Sequence, residues 1–262
     1  EENLISFLLP TIKIIFLLGF LVLIHEGGHF LVAKMCKVKV NEFAIGFGKI
    51  LLQKQGKDTK YSLRLIPLGG FCSMEGEDEE SDDPGSFSKA SVWKRMVIVL
   101  AGATVNIVFG ILVYFILVST VGIQFVDPAK DNIANRIYYG AQGTGEFIKA
   151  VADSIKTLFS GGLKTNQMVG IVGISEVVVK TNGIINYLNL LAVISVSLGV
   201  TNLLPIPALD GGKILILLIE IIRRKPMKIE TEAKIQLIGF SILIALSLFV
   251  TYNDILRIGT GS

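Results

Sequence analysis

Leu21-Val22-Leu23-Ile24-His25-Glu26-Gly27-Gly28-His29-Phe30-Leu31-Val32 sets three ionisable side chains inside an otherwise apolar run. On a helix His25 and His29 are one turn apart on the same face, so both imidazoles can reach one ion, with Glu26 beside them towards a water on that ion. They are the only 2 histidines in the chain. The surrounding segment, residues 14–33, is long enough for one bilayer crossing, and ionisable groups inside a span are costly enough to mark function. The plainer alternative is a pair of buried, hydrogen-bonded histidines beside a neutral glutamic acid; nothing structural needs Glu26 in hydrocarbon.

The rest of the chain has the same character. Of 262 residues, 51% are hydrophobic and only 18% charged, and mean hydropathy is +0.63. Such a composition excludes a soluble domain with a polar surface and predicts a mainly α, polytopic membrane protein. Four transmembrane helices are expected, the third broken by a Pro/Gly segment, with a membrane-associated β-hairpin or small β-sheet after the first. The net charge of +3 is small, and no basic stripe interleaved with aromatics suggests a nucleic-acid partner. Cys36 and Cys72 are too far apart for a C-x-x-C motif and read as free thiols. No removable signal peptide is apparent. The chain begins without methionine and ends Gly-Thr-Gly-Ser, as a trimmed chain would.

Lys34, Lys37 and Lys39 follow the first span, so the positive-inside rule puts that end in the cytoplasm and the N-terminus outside. Glu26 lies eight residues earlier, about 12 Å at the helical rise, within the membrane but nearer the cytoplasm. Residues 38–74 change to a strand pattern, with a turn at Gln55-Gly56-Lys57-Asp58 and alternation at Tyr61-Ser62-Leu63-Arg64-Leu65. An edge of this sheet could pair with an extended peptide, or the hairpin could be self-contained. Glu75 to Asp83 is acidic and reads as a solvated loop.

The second span, about 96–121, contains Ala101-Gly102-Ala103, small residues that permit close helix approach. Asn106 within it needs a polar partner, either a neighbouring helix or substrate backbone. Residues 124–183 form an extracytoplasmic connection, with an amphipathic helix through Phe147, Ile148, Val151, Ile155, Leu158 and Phe159. The third apolar stretch, 184–222, is interrupted at Asn202-Leu203-Leu204-Pro205-Ile206-Pro207-Ala208-Leu209-Asp210-Gly211-Gly212. Unwound backbone at membrane depth survives only where it lines a cavity or a site. Arg223, Arg224, Lys225 and Lys228 put the next loop inside, so the broken segment shares the depth of the histidines. The fourth span, 235–252, ends outside, with the C-terminus.

Catalytic zinc sites usually have three protein ligands and an open position. With no third histidine, the remaining ligand must be a carboxylate or thiolate. Asp210 is the best candidate by depth and backbone context; it could alternatively only cap the next helix. Glu220 and Glu176 are weaker, because nothing near them breaks a helix. A water held by His25, His29 and Asp210 would give up its proton to Glu26, which could pass it to a leaving amine. Amide hydrolysis is the natural chemistry. The rival readings are a membrane metal transporter, against which stands the lack of internal duplication, and a non-catalytic scaffold.

The ordered set His25-Glu26-Gly27-Gly28-His29, Ile45-Gly46-Phe47-Gly48, Tyr61 to Phe71 and Asn202 to Gly212 resembles the site-2 protease family of intramembrane zinc metalloproteases, above all its bacterial branch in regulated intramembrane proteolysis. The resemblance implies Zn2+ on His25, His29 and Asp210, with Glu26 as base. It implies that the hairpin dips into the membrane and holds substrate extended, which makes Gly46, Gly48, Leu63 and Leu65 candidate substrate-binding residues together with Asn106 and Asn202. It also implies a multi-pass protein of the bacterial plasma membrane with its active site towards the cytoplasm. The substrates would be single-span proteins such as anti-sigma factors or signal-peptide remnants, first trimmed by a site-1-type protease. Two departures are Ala103 and Ile171, where the family usually has proline. A third concerns the PDZ domain that relatives carry between the second and third spans: only about twenty residues, Ile123 to Gly140, occupy that place, so the domain is naturally absent or deleted. The whole chain then reads as one intramembrane protease core.

Overall fold

The computed structural model describes residues 2–160 and 170–260. Seven α-helices and two strands follow in the order α1 (Glu2–Met35), β1 (Val40–Gln55), β2 (Lys60–Met74), α2 (Val92–Leu117), α3 (Ile133–Phe159), α4 (Ile171–Lys180), α5 (Ile184–Asn202), α6 (Asp210–Arg223) and α7 (Ile229–Thr260). Four stretches are long and apolar enough to cross a membrane: Pro10–Met35, Val92–Gly122, Ile184–Asn202 and Ile229–Leu256. They coincide with the four expected spans; the first, second and fourth are slightly longer than expected, and the third is the first part of the stretch 184–222. The third does break. Its first part is α5, and its second, α6, is a separate 14-residue helix. The amphipathic helix expected around Phe147 to Phe159 is the end of the longer α3, and α4 was not foreseen. Part of the expected extracytoplasmic connection, residues 161–169, lies outside the described residues.

The chain forms two compact units. The first comprises the residues up to Asn106 together with Leu198–Ile244. Within it α1 stops because Lys37 takes the left-handed conformation at φ 62°. The amide of Val38 then reaches back to the Ala33 carbonyl at 2.9 Å and that of Lys37 to Lys34 at 3.1 Å. These two bonds satisfy carbonyls that the helix end would otherwise leave open, with lysine where glycine is usual.

β1 and β2 pair antiparallel, and because both are bent one segment is used twice. Residues 42–45 pair with 70–73 on one edge and with 60–63 on the other, while 52–55 pair with the far edge of 60–63. The bends fall at Gly46 (φ +86°), Gly48 (φ +82°) and Gly69 (φ +135°), backbone conformations that L side chains rarely adopt. The turn expected at residues 55–58 closes with the Gly56 amide on the Thr59 carbonyl at 2.9 Å. One edge of residues 70–74 pairs with no strand among the described residues.

The core of this unit joins Ala33, Val38, Val40, Cys72, Met74, Phe87, Ile98, Val99 and Leu217, all buried. Beside it α1 and α2 cross at glycines. A Cβ on Gly28 would stand 2.7 Å from the Ala101 carbonyl oxygen and 3.0 Å from Gly102 Cα, so no larger residue fits without parting the helices. Both cysteines are free.

The second unit comprises Ile107–Ser197 and the residues from Ala245 onward. Tyr114 stacks on Phe147 with ring centroids 4.2 Å apart. The buried Asp254 of α7 accepts the amides of Gly170 and Gly173 at 3.0 and 2.9 Å, satisfying donors at the start of α4 that glycine cannot cap for itself.

Candidate metal centre

The broken third span positions one half of the site. After α5 the chain turns through residues 203–209 and re-enters helix at Asp210. Glycine is required here by space: a Cβ on Gly211 would meet the Leu203 carbonyl carbon at 2.5 Å, and one on Gly212 the Pro207 Cα at 2.7 Å. From α7, Gln236 accepts the Ala208 amide at 2.5 Å, and Gly239 lies against Pro207. Asp210 is therefore the first helical residue and not the cap, which is Leu209. Its carboxylate points at the histidines of α1.

Asp210 Oδ2 stands 3.2 Å from His25 Nε2 and 3.5 Å from His29 Nε2, and the two Nε2 atoms are 3.3 Å apart. Donors around a tetrahedral ion bonded at roughly 2.0–2.1 Å stand roughly 3.3–3.4 Å from one another. The triangle of Nε2, Nε2 and Oδ2 thus has the edges of one face of such a tetrahedron, so a zinc ion fits these residues. Burial argues the same way. The two histidines are each 8% exposed, and Asp210 Oδ2 is buried without a hydrogen bond among the described residues, a cost that a cation removes.

Further contacts orient these donors. The His29 Nδ1–H donates to the Ile98 carbonyl at 2.8 Å, which fixes the tautomer and leaves the Nε2 lone pair free. Asn202 Nδ2 lies 3.4 Å from His25 Nε2. Gly102 fits directly against the imidazoles: a Cβ there would collide with His29 Nε2 and approach His25 Cε1 to 2.9 Å. Ile98 takes part through its backbone, for which no sequence signal exists. Gly102 was legible as part of a small-residue run, though not as a neighbour of the metal ligands.

A cavity of about 470 Å³ opens on this triangle, lined among others by Glu26, Phe71 to Met74, Glu77 and Lys213. Glu26 lines it beside the histidines, and its Cγ would lie 3.6 Å from a Cβ on Gly70. The strand segment with the unpaired edge therefore runs past Glu26. The other residues expected to contact substrate lie elsewhere. Leu63 pairs with both Ile45 and Leu52, so both its backbone edges are used, and it lines a separate groove on the sheet of about 350 Å³. Leu65 is exposed, Gly46 and Gly48 are bends of β1, and Asn106 is fully buried in α2. None of these five lines the cavity at the histidines.

The acidic stretch after β2 is only partly the solvated loop expected. Asp78, Glu79 and Glu80 are exposed, but Glu77 forms a wall of the cavity and accepts from Lys213 Nζ at 2.5 Å. The weaker ligand candidates are engaged elsewhere: Glu220 accepts from Arg95 at 2.6 Å and Glu176 from Lys180 at 2.5 Å.

Comparison with known proteins agrees with this chemistry. A family model described as peptidase family M50 matches residues 13–246. A Clostridium acetobutylicum protein bearing the provisional name of zinc metalloprotease is 30% identical, the alignment covering 90% of this chain and 94% of the relative. RasP of Bacillus licheniformis, named a zinc metalloprotease, is 25% identical, with 95% and 99% covered. RasP of Bacillus subtilis, named a regulator of sigma-W protease, is 24% identical, with 96% and 99% covered. That last alignment spans 419 positions against the 262 residues of this chain, so the relative carries segments without counterpart here. The name of zinc metalloprotease carried by the first two relatives agrees with a site built of two imidazoles and a carboxylate on apolar helices, and the chain is a multi-pass membrane metalloprotease belonging to peptidase family M50, the site-2 proteases.

Proposed function

We propose that the protein hydrolyses a peptide bond in or near the membrane segment of single-span proteins, as a zinc metalloendopeptidase with His25, His29 and Asp210 as metal ligands and Glu26 as the base. The observation that carries this reading is the triangle of three donors with a carboxylate, Glu26, lining the same cavity. Zinc, when bound, supplies a polarised water and draws charge from the scissile carbonyl. Glu26 would take a proton from the attacking water as its oxygen bonds to the carbonyl carbon, and deliver that proton to the amide nitrogen as the C–N bond breaks. His29, held through Nδ1 by the Ile98 carbonyl, keeps its Nε2 lone pair directed to the point that His25 Nε2 also faces.

The substrate lies extended along the unpaired edge of residues 70–74, adding a strand to the sheet beside Glu26. A helix buries its peptide bonds in its own hydrogen bonds, so pairing with an edge exposes them for attack. Asn202 can contact the same chain; Gly46, Gly48, Leu63, Leu65 and Asn106 act through the shape of the sheet and of α2. Anti-sigma factors or signal-peptide remnants, shortened beforehand by a site-1-type protease, are the proposed substrates; for the anti-sigma factors alone the name of the B. subtilis relative lends support. Both termini lie outside the cytoplasm, and the site faces the cytoplasmic side of a bacterial plasma membrane.

Glu26→Gln tests the assignment. Zinc content should stay as in the unsubstituted protein while cleavage of a tagged single-span reporter in detergent falls at least about a hundredfold. Cleavage at an unchanged rate would remove Glu26 from the role of base.

A further inference from the structure

A second cavity, of about 590 Å³, adjoins the first. Glu77, Asp78, Asp210 and Lys213 line both, so the two are neighbours across one shared wall. The far walls are apolar, from Leu209, Leu237 and Phe240, with Glu232 at the start of α7. Nothing in the chemistry derived above uses this space.

Its charge is specific. Lys213 is the lysine of the cavity, and Glu77 neutralises it at 2.5 Å while Phe87 stacks beneath it, 5.2 Å from Nζ to the ring centre. Asp78 and Glu232 form no ion pair among the described residues. The basic residues Arg223, at the end of α6, and Arg224, Lys225 and Lys228, in the loop after it, do not line the cavity. The lining sets four carboxylates, Glu77, Asp78, Asp210 and Glu232, against one lysine, and this excess of negative charge over apolar walls suits a side chain with an aliphatic stem and a cationic head. The volume is ample for such a group and falls in the range of ordinary ligand sites.

We propose that this cavity is a specificity subsite for a lysine or arginine on the cytoplasmic flank of the substrate. The inference rests on the protease reading and deepens it. A single-span protein carries its basic residues just past the cytoplasmic end of its span, whatever its outer domain. A chain extended along residues 70–74 and cut beside Glu26 continues past Asp210 and the Glu77–Lys213 pair, and its first basic residue arrives at Asp78 and Glu232. Recognition of that residue sets the register of the cut relative to the end of the span.

The test uses the zinc-loaded protein in detergent and three single-span reporters that differ only in carrying lysine, alanine or glutamate across the cytoplasmic flank. The lysine reporter should exceed the glutamate reporter about tenfold in kcat/KM, chiefly through KM. Glu232→Lys should invert this order, and Glu232→Gln should shrink the ratio; the glutamine variant, which keeps the size of the side chain, carries the test should the lysine variant lose its zinc. A ratio near one in the unsubstituted protein, or one unmoved by either variant, would overturn the subsite and leave the protease standing. No cleavage of any reporter would overturn both.

Discussion

Replacing Glu220 by alanine is expected to be among the costliest single changes in the protein. The Arg95 and Glu220 side chains are only 10% and 3% exposed and meet at 2.6 Å. The second carboxylate oxygen of Glu220 accepts the Met227 amide at 2.7 Å. Alanine would strand a buried guanidinium, a loss of about 3–5 kcal/mol, and a backbone donor, about 1–3 kcal/mol. The two overlap as the chain relaxes, so about 4 kcal/mol is a fair sum. In a protein of this size each kcal/mol moves Tm by about 2–4 °C, which predicts a fall of about 8–16 °C. The measurement is thermal unfolding in detergent by far-UV circular dichroism, with zinc content followed in parallel. Both should fail together, because Arg95 lies one turn before Ile98, whose carbonyl orients His29, and Glu220 lies on the helix that begins with Asp210. The apolar pair Arg95→Met with Glu220→Leu should recover most of the loss, since it leaves no buried charge alone. A fall below about 3 °C for Glu220→Ala, or an apolar pair as unstable as the single variant, would refute the reasoning.

Two further outcomes follow from the geometry. Gly102→Ala forces a methyl group onto the imidazoles of His25 and His29, and zinc affinity measured by competition with a chelator should drop at least about tenfold; affinity equal to that of the unsubstituted protein would show that α2 can move away. Burial alone would raise the Glu42 carboxyl, but hydrogen bonds from Ser62 and Arg64 outweigh it and hold the group below its ordinary value of 4.5. A depressed carboxylate contributes stability above its unfolded pKa and loses it as pH falls through the folded one, so the amide protection factors in β1 and β2, exchange measured against the intrinsic rate at each pH, should be level above about pH 5 and fall below 4.5. Glu42→Gln should abolish that acid dependence, and an unchanged profile would assign it to another group.

Much of this fold was legible because the membrane permits few solutions. An apolar run long enough to cross must be helical to satisfy its own backbone, so composition and length alone locate the spans. The two histidines at helical spacing, and a Pro/Gly break with an aspartate behind it, are local patterns that survive without knowledge of contacts. The edge proposed for substrate was not legible in the same way. Alternation at Tyr61 to Leu65 draws attention to Leu63, yet that segment is paired on both sides, and the free edge is formed by residues 70–74, whose apolar side chains advertise only burial. Register in a bent sheet depends on glycine positions and long-range pairing, which no local pattern specifies.

The acidic stretch shows the same limit. Seven carboxylates in a short polar run read as solvent-exposed, and most are, but Glu77 turns inward because a lysine 136 residues away needs a partner inside a cavity. The sequence by itself determined the class of the protein, its helices, the residues able to bind a metal and the chemistry they can support, since these depend on residue type and local spacing. Only the tertiary structure decided that Asp210 meets His25 and His29 at tetrahedral spacing, that the Ile98 carbonyl and Gly102 shape the site, and which strand edge runs past Glu26. Those are distances between segments brought together by packing, and packing is set by the fit of whole surfaces, of which each residue carries only a part.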